Sequence, residues 1–275
     1  MTVTVNAVAF GSEQADRTSA PVFICLLGSF RLFKHGKLLL TNNQKARLLL
    51  STLALQPCQT TTRSYLLETV WPGIDPRLSG PQLRGVLFKL RRAFQTVLGE
   101  QPLILRECDD YQLNMGAGIG IDAAEFEAYI KRGDRARYVA AEGQAIRCYA
   151  SALDLYHGDL LINSTTEIEI ERERLRGLYL RALNHLANYG FVQKDYIACL
   201  DYAYKMLMSN PFYEEAHRII MRCYARQRER GQALRQFQLC RDRLKAEFNI
   251  DPERETLMLY QSICAGDEDV ETKRI

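Results

Sequence analysis

No stretch of this 275-residue chain approaches the roughly 18 to 20 consecutive apolar residues that span a bilayer, and residues 1 to 20 lack the basic start and unbroken apolar core of a secretory signal. Both absences predict a cytoplasmic protein with no membrane partner. Metal-ligand spacing is missing as well. The four histidines, His35, His157, His185 and His217, never fall at zinc-site intervals, and none of the eight cysteines belongs to a CxxC pair. Cys25, Cys58, Cys108, Cys148, Cys199, Cys223, Cys240 and Cys264 read instead as buried free thiols, most of them on apolar helical or strand patterns. No GxxxxGK(S/T) phosphate loop, HExxH or GxSxG occurs. An enzyme, a metal and a cofactor therefore have no support in the residues.

What is present is a chain with 47% apolar residues, enough to build a core in each of two domains of ordinary size. Its charge is unevenly placed. Residues 22 to 121 hold 12 lysines and arginines against 6 acidic residues, a net of +6, whereas residues 122 to 275 hold 23 against 25, a net of −2. The overall +3 thus hides a basic first half joined to a near-neutral second half, the footprint of a nucleic-acid module attached to something else. The basic signal peaks at 79 to 97, SGPQLRGVLFKLRRAFQTV, where Arg84, Lys89, Arg91 and Arg92 lie on a predicted helix without one acidic residue. Leu83, Val86, Leu87, Leu90, Phe94 and Val97 recur there at helical spacing, so one face packs and the other can meet phosphate.

Around that helix the chain is read as follows. Residues 1 to 20 form a flexible leader, and short antiparallel strands are expected at 22–27, 29–34 and 38–40, set off by Gly28 and Gly36. A first helix over 45–55 places Ala46, Leu49, Leu50 and Leu53 on one face and stops near Pro57. Thr60, Thr61 and Thr62 supply N-cap hydroxyls for a second, running through Tyr65 to Trp71. Ser79 or Gly80 caps the third, with Pro81 in its first turn and Gly99 just past its end. LILR (103–106) and YQLN (111–114) flank Cys108, Asp109 and Asp110 as a hairpin. Strands, three helices and a hairpin predict an α+β winged helix-turn-helix over residues 21–121.

From Asp122 strand signals nearly vanish. Leu186 and Met221, Tyr189 and Tyr224, Ala198 and Ala233, and Tyr202 and Phe237 each stand 35 residues apart, close to the 34-residue unit of tetratricopeptide repeats; Ala145 and Tyr149 show the same small-to-aromatic spacing earlier. An all-α, tetratricopeptide-like repeat domain is expected over 122–265, with a flexible tail at 266–275. Stacked helix pairs make concave surfaces that bind proteins. Glu167, Glu169, Glu171 and Glu173, interleaved with Arg172, Arg174 and Arg176, read as a solvated helix with ion pairs four apart.

The segments LLGSFRLFKHGK, QKARLLLSTLAL, YLLETVWPG, LRGVLFKLRRAF and a closing YQL occur in order, followed by AIRCYASALDLYHGDLL, ERERL and FNIDPERETLMLYQSI. In that order they resemble the Streptomyces antibiotic regulatory protein (SARP) family across residues 22 to 264. The resemblance implies an OmpR-type winged helix followed by a bacterial transcriptional activator domain. It further implies an activator acting on promoter DNA, homo-oligomers on tandem sites, and RNA polymerase as a partner of the second domain. One departure lies in the wing, where the family commonly has glycine before the tyrosine and this chain has Asp110 before Tyr111. With Glu107 and Asp109 it makes the wing tip acidic, leaving Arg106 as the wing's one candidate for a phosphate.

By the docking rule of helix-turn-helix proteins, residues near the amino end of the recognition helix approach base edges. Gln82, Arg84 and Gly85 are then better base-reading candidates than Arg91 and Arg92; with the wing acidic, Gln82, Arg84, Phe88 and Lys89 carry a large share of recognition, and Arg91 and Arg92 anchor the backbone. Phe88 either meets a thymine methyl or belongs to the core at irregular spacing. Arg47, Thr60, Thr62 and Arg63, near the starts of the first two helices, suit phosphate, with capping or solvation as the plainer reading of each. A tetratricopeptide-type interaction scaffold without specific DNA binding is the alternative reading of the whole chain.

Overall fold

Val22, Phe23, Ile24 and Cys25 are buried in succession, and an uninterrupted apolar run of this kind makes a strand covered on both faces. In the computed structural model, which describes residues 20–39, 43–160 and 166–266, they form β1. The leader up to residue 19 and the tail from 267 lie outside the described residues. β1 pairs antiparallel with β2 (Arg31–Lys34), which pairs with β3 (Lys37–Leu38). The third strand is shorter than expected, with Leu38 exposed and Leu40 outside the described residues. On its other side β1 takes a parallel partner that its local sequence does not announce, Ile119–Ile121. Phe23 lies opposite Gly120, where a Cβ would stand 2.5 Å from the Phe23 ring, so glycine is required at that register position.

The three helices follow the apolar spacing. α1 (Gln44–Leu55) is capped by the Asn43 side chain, which accepts from the amides of Lys45 and Ala46. α2 (Arg63–Val70) is capped by Thr62, whose Oγ1 accepts from Tyr65 N–H. Thr60 and Thr61 do not cap it. They belong with Thr62 to a strand, β4 (Thr60–Thr62), antiparallel to β6 (Asp110–Leu113), which in turn pairs with β5 (Ile104–Glu107). The β-branched run extends because Thr61 is buried opposite Tyr111, and that pairing outweighs a capping role.

α3 begins earlier than expected, spanning Pro76–Leu98. Asp75 is its N-cap, accepting from Arg77 N–H at 2.7 Å, and Pro76 occupies the first helical position, where a missing N–H costs nothing. Pro81 therefore lies inside the helix, and Ser79 and Gly80 are buried helical residues, not caps. Leu49, Leu53, Leu66, Val70, Leu83 and Phe94, all within 1% of full burial, are the apolar core of the three helices.

The final strand of the first sheet, β7 (Ile119–Ile121), leads into α4 (Asp122–Tyr138). The buried Asp122 carboxylate accepts from the amides of Leu26, Leu27 and Ala123 at 2.7–2.9 Å. Burial pushes its carboxyl up to about 6, against the pull of those three amides. The chain divides into two units within α4: one takes in the described residues up to Ala128 and those between Leu155 and Arg172, the other Tyr129–Asp154 and the described residues from Glu173 onward.

In the second unit helices come in pairs. The α4 to α5 (Glu142–Leu155) turn, the α6 (Thr166–Val192) to α7 (Tyr196–Ser209) turn and the α8 (Glu214–Arg226) to α9 (Arg230–Phe248) turn share one geometry. At each, a residue with positive φ, Ala140, Lys194 or Arg228, donates to the carbonyl three residues back. The next amide then reaches five residues back. Lys194 and Arg228 set the repeat at 34 residues. The 35-residue correspondence is thus one position out of register, and the equivalent of Ala233 is Cys199, both fully buried, whereas Ala198 is partly exposed. Leu183, Ala187, Cys199, Ala203, Met206 and Ile219 form the core between α6, α7 and α8. α10 (Arg254–Ala265) is tied to α8 through Glu214, which accepts from Glu253 N–H and from Thr256 Oγ1 at 2.7 Å.

Candidate nucleic-acid interface

The 23 residues of α3 extend for about 34 Å at the standard helical rise. Leu83, Val86, Leu90, Phe94 and Leu98 face the core, which leaves the opposite side of the helix in solvent. Pro81, Gly85, Phe88 and Arg92, spaced by four, three and four, run down the middle of that outward side, and all four are exposed. Gln82 and Lys89 flank this line on one edge, Arg84 and Arg91 on the other. Phe88 is 66% exposed, which settles its placement: it is an outward aromatic and not a core residue. Gly85 has nothing within 4 Å of where a Cβ would stand, so the middle of the face is bare backbone.

The cations of the first unit fall into two groups. Lys34 on β2 donates to Thr96 Oγ1 and to the Ala93 carbonyl, pinning α3 to the sheet, and Lys45 donates to the Val70 carbonyl while its ammonium lies 5.7 Å from the centre of the Trp71 ring. These two are committed to the fold. Arg84, Lys89, Arg91 and Arg92, by contrast, are exposed, and among the described residues none of them is held by an ion pair or a side-chain hydrogen bond. Four uncompensated charges on one helix face raise the local potential that attracts a polyanion.

The remaining candidates are dispersed. Arg47 is exposed on the first turns of α1, and Thr62 and Arg63 meet at the start of α2. Thr60 lies on β4 with its hydroxyl donating to the Cys58 carbonyl. Arg106, on the wing, bonds through Nε to the Cys108 carbonyl and stacks 5.7 Å from the Tyr111 ring centre. Glu107, Asp109 and Asp110 are exposed beside it, so the wing tip carries net negative charge. Sequence reading missed Lys34 and Lys45 as anchors of the site, since both roles depend on contacts with residues far along the chain. The cysteines are only in part as expected: Cys25, Cys199, Cys223 and Cys240 are buried, but Cys58, Cys108 and Cys264 are exposed. Cys58 and Cys108 both sit in turns, each with a positive φ. Among the described residues no group of three or more His, Cys, Asp or Glu side chains could hold a metal ion, and no described helix is long and apolar enough to cross a membrane.

A family model of the bacterial transcriptional activator domain matches residues 121–264. The chain belongs to that family. No curated protein matches it by sequence. Among solved structures, Mycobacterium tuberculosis EmbR, in complex with a low-affinity phosphopeptide, superposes with a TM-score of 0.75 at 18% identity, over 90% of this chain. The chain spans 65% of the EmbR chain's length, and the likeness is one of fold. The C-terminal TPR-containing domain of a Plasmodium falciparum FK506-binding protein gives a TM-score of 0.40 at 14% identity, over 52% of this chain and 89% of that one. A bacterial transcriptional activator domain preceded by a winged helix is the SARP-type architecture that the ordered motifs anticipated.

Proposed function

We propose that this protein is a sequence-specific DNA-binding transcriptional regulator, an activator, whose α3 enters the major groove of promoter DNA. The observation that carries the reading is the outward face of α3: four cations without internal partners around an exposed Phe88 and an open Gly85. An α-helix fits the major groove, arginine bonds bidentately to guanine, and an apolar ring meets the thymine methyl. Gln82, Arg84 and Phe88 take the base-reading role, and Lys89, Arg91 and Arg92 hold phosphates together with Arg47, Thr62 and Arg63. The acidic wing tip leaves only Arg106 there to approach the backbone.

The helical repeat domain serves dimerisation on tandem sites or contact with RNA polymerase; membership of the activator-domain family supports this assignment. Selection of bound fragments from the source genome, followed by footprinting, tests both parts. Enrichment of promoter fragments with repeats spaced by about 10 to 10.5 base pairs, or a multiple of that, fits adjacent subunits on one face of the duplex. Recovery of fragments without sequence preference would refute specific regulation.

A further inference from the structure

Gly80 stands in the second turn of α3 with ordinary right-handed helical backbone, immediately before Pro81, whose ring disfavours that backbone for a preceding residue that carries a Cβ. What glycine supplies here is room. A Cβ at residue 80 would stand 2.6 Å from Arg63 Nη2 and 3.8 Å from Arg63 Cζ. The guanidinium of Arg63 therefore lies directly against the bare backbone of α3, covering Gly80, which is buried beneath it.

The other end of Arg63 is held as well. Its amide donates to the Asp109 carbonyl in the wing turn at 2.7 Å, and Thr62 just before it caps α2. The arginine is thus fixed at its backbone by the wing and steered at its tip by α3. Among the described residues no carboxylate or hydrogen-bond acceptor engages the guanidinium. Its charge remains available on the edge of the outward side that carries Arg84, one turn along α3 from Gly80.

We propose that Gly80 is a positioning residue for DNA binding: the missing side chain lets Arg63 lie flat on α3 and present its guanidinium to a phosphate at the edge of the groove that α3 enters. The inference rests on the DNA-binding reading above. The atom that a methyl at position 80 would meet is the far end of a flexible side chain, so the methyl displaces the guanidinium without unfolding the domain. The loss of one phosphate contact, read in the salt slope, is what a merely structural glycine does not produce.

The test uses the full chain, a mixed-sequence 30-base-pair duplex as probe, fluorescence anisotropy from 50 to 200 mM KCl, and thermal unfolding. Gly80→Ala is expected to remain folded at the temperature of the titration, to bind about 10-fold more weakly, and to lower the log–log salt slope by about 0.9, the value of one phosphate. Arg63→Ala should lose the same contact, and the double variant should bind no more weakly than Arg63→Ala alone. Wild-type affinity and slope in Gly80→Ala, or losses that add in the double variant, overturn the proposal. If Gly80→Ala does not fold, an unchanged slope in Arg63→Ala overturns it instead. A wild-type chain without salt-dependent binding removes the DNA reading itself and this inference with it.

Discussion

His217 Nδ1 lies 2.7 Å from the Gln236 carboxamide nitrogen, while His217 Nε2 faces the Pro211 carbonyl oxygen at 3.1 Å. A carbonyl oxygen can only accept, so Nε2 carries the proton and Nδ1 accepts from Gln236. The ring is fully buried between α8 and α9, and burial holds its pKa below the ordinary 6.5. A second proton would turn Nδ1 into a donor aimed at another donor. Between the lowered folded value and 6.5 the unfolded chain binds the extra proton and the native chain does not, so this group's stabilisation is complete above pH 6.5 and is lost as the pH falls below it. His217→Gln should reduce stability at pH 8 yet flatten the fall in unfolding temperature between pH 7 and 6. Asp122 acts in the opposite sense between 3.8 and about 6, so the comparison is between the two slopes and not between absolute values. Identical slopes for variant and wild type would show that His217 does not titrate this way.

Two phenylalanines six residues apart on α3 should behave as opposites. Phe94 is 1% exposed, and Phe94→Ala is expected to cost about 3 to 5 kcal/mol in urea unfolding. Phe88 is 66% exposed, so Phe88→Ala should stay within about 0.5 kcal/mol of wild type while weakening DNA binding. Loss of stability in Phe88→Ala with unchanged DNA affinity would return Phe88 to the core.

That contrast marks where sequence reading worked. Apolar residues at helical spacing located α1, α2 and the packed side of α3, because local periodicity reports which face is buried. It failed where tertiary partners decide. Thr60 to Thr62 looked like caps, although three β-branched residues in a row also suit a strand, and only Tyr111 across the ladder chooses between the two. Ile119–Ile121 pairs with a strand almost one hundred residues earlier, and no local pattern announces a parallel partner. The start of α3 was misplaced because two prolines, Pro76 and Pro81, each suit a first turn; the Asp75 cap decides for the earlier. In the candidate site the exposed cations were legible, whereas the seat of Arg63 on Gly80 joins residues whose contact exists only in the fold.

Thiol accessibility offers a check on both units. Cys58, Cys108 and Cys264 are exposed, while Cys25, Cys199, Cys223 and Cys240 are buried. Cys199 and Cys223 Sγ lie 3.2 Å apart, and the shared hydrogen bond with burial pushes the Cys223 thiol up; burial, aided by the Glu214 and Glu253 carboxylates, lifts Cys240 to about 12. Thiolates are the reactive species, so for Cys223 and Cys240 burial and raised pKa act together, whereas the Cys199 thiol, which the same hydrogen bond pulls down, is protected by its burial. Brief alkylation of the native protein, read by peptide mass spectrometry, should label the three exposed thiols, with the four buried ones reacting only in denaturant. Fast labelling of Cys199 or Cys240 in the native state would contradict the packing of α7 to α9.

Arginines at the two ends of the outward face of α3 should separate specificity from affinity. If Arg84 bonds to a base, Arg84→Ala costs about 1 to 3 kcal/mol on the selected operator and much less on random duplex, so the ratio between them collapses. If Arg92, further along the helix, holds a phosphate, Arg92→Ala should weaken both duplexes equally and lower the salt slope by about 0.9. Four phosphates neutralised by Arg84, Lys89, Arg91 and Arg92 contribute about −3.6 to the wild-type slope, a loss of about 150-fold between 50 and 200 mM salt, to which Arg47 and Arg63 add about −0.9 each. Arg84 reading a base in place of a phosphate would lower that slope by one step, which the same titration resolves. A flat salt response would show that this face does not meet a polyanion, and an equal effect of Arg84→Ala on both duplexes would move base reading to Gln82 and Phe88.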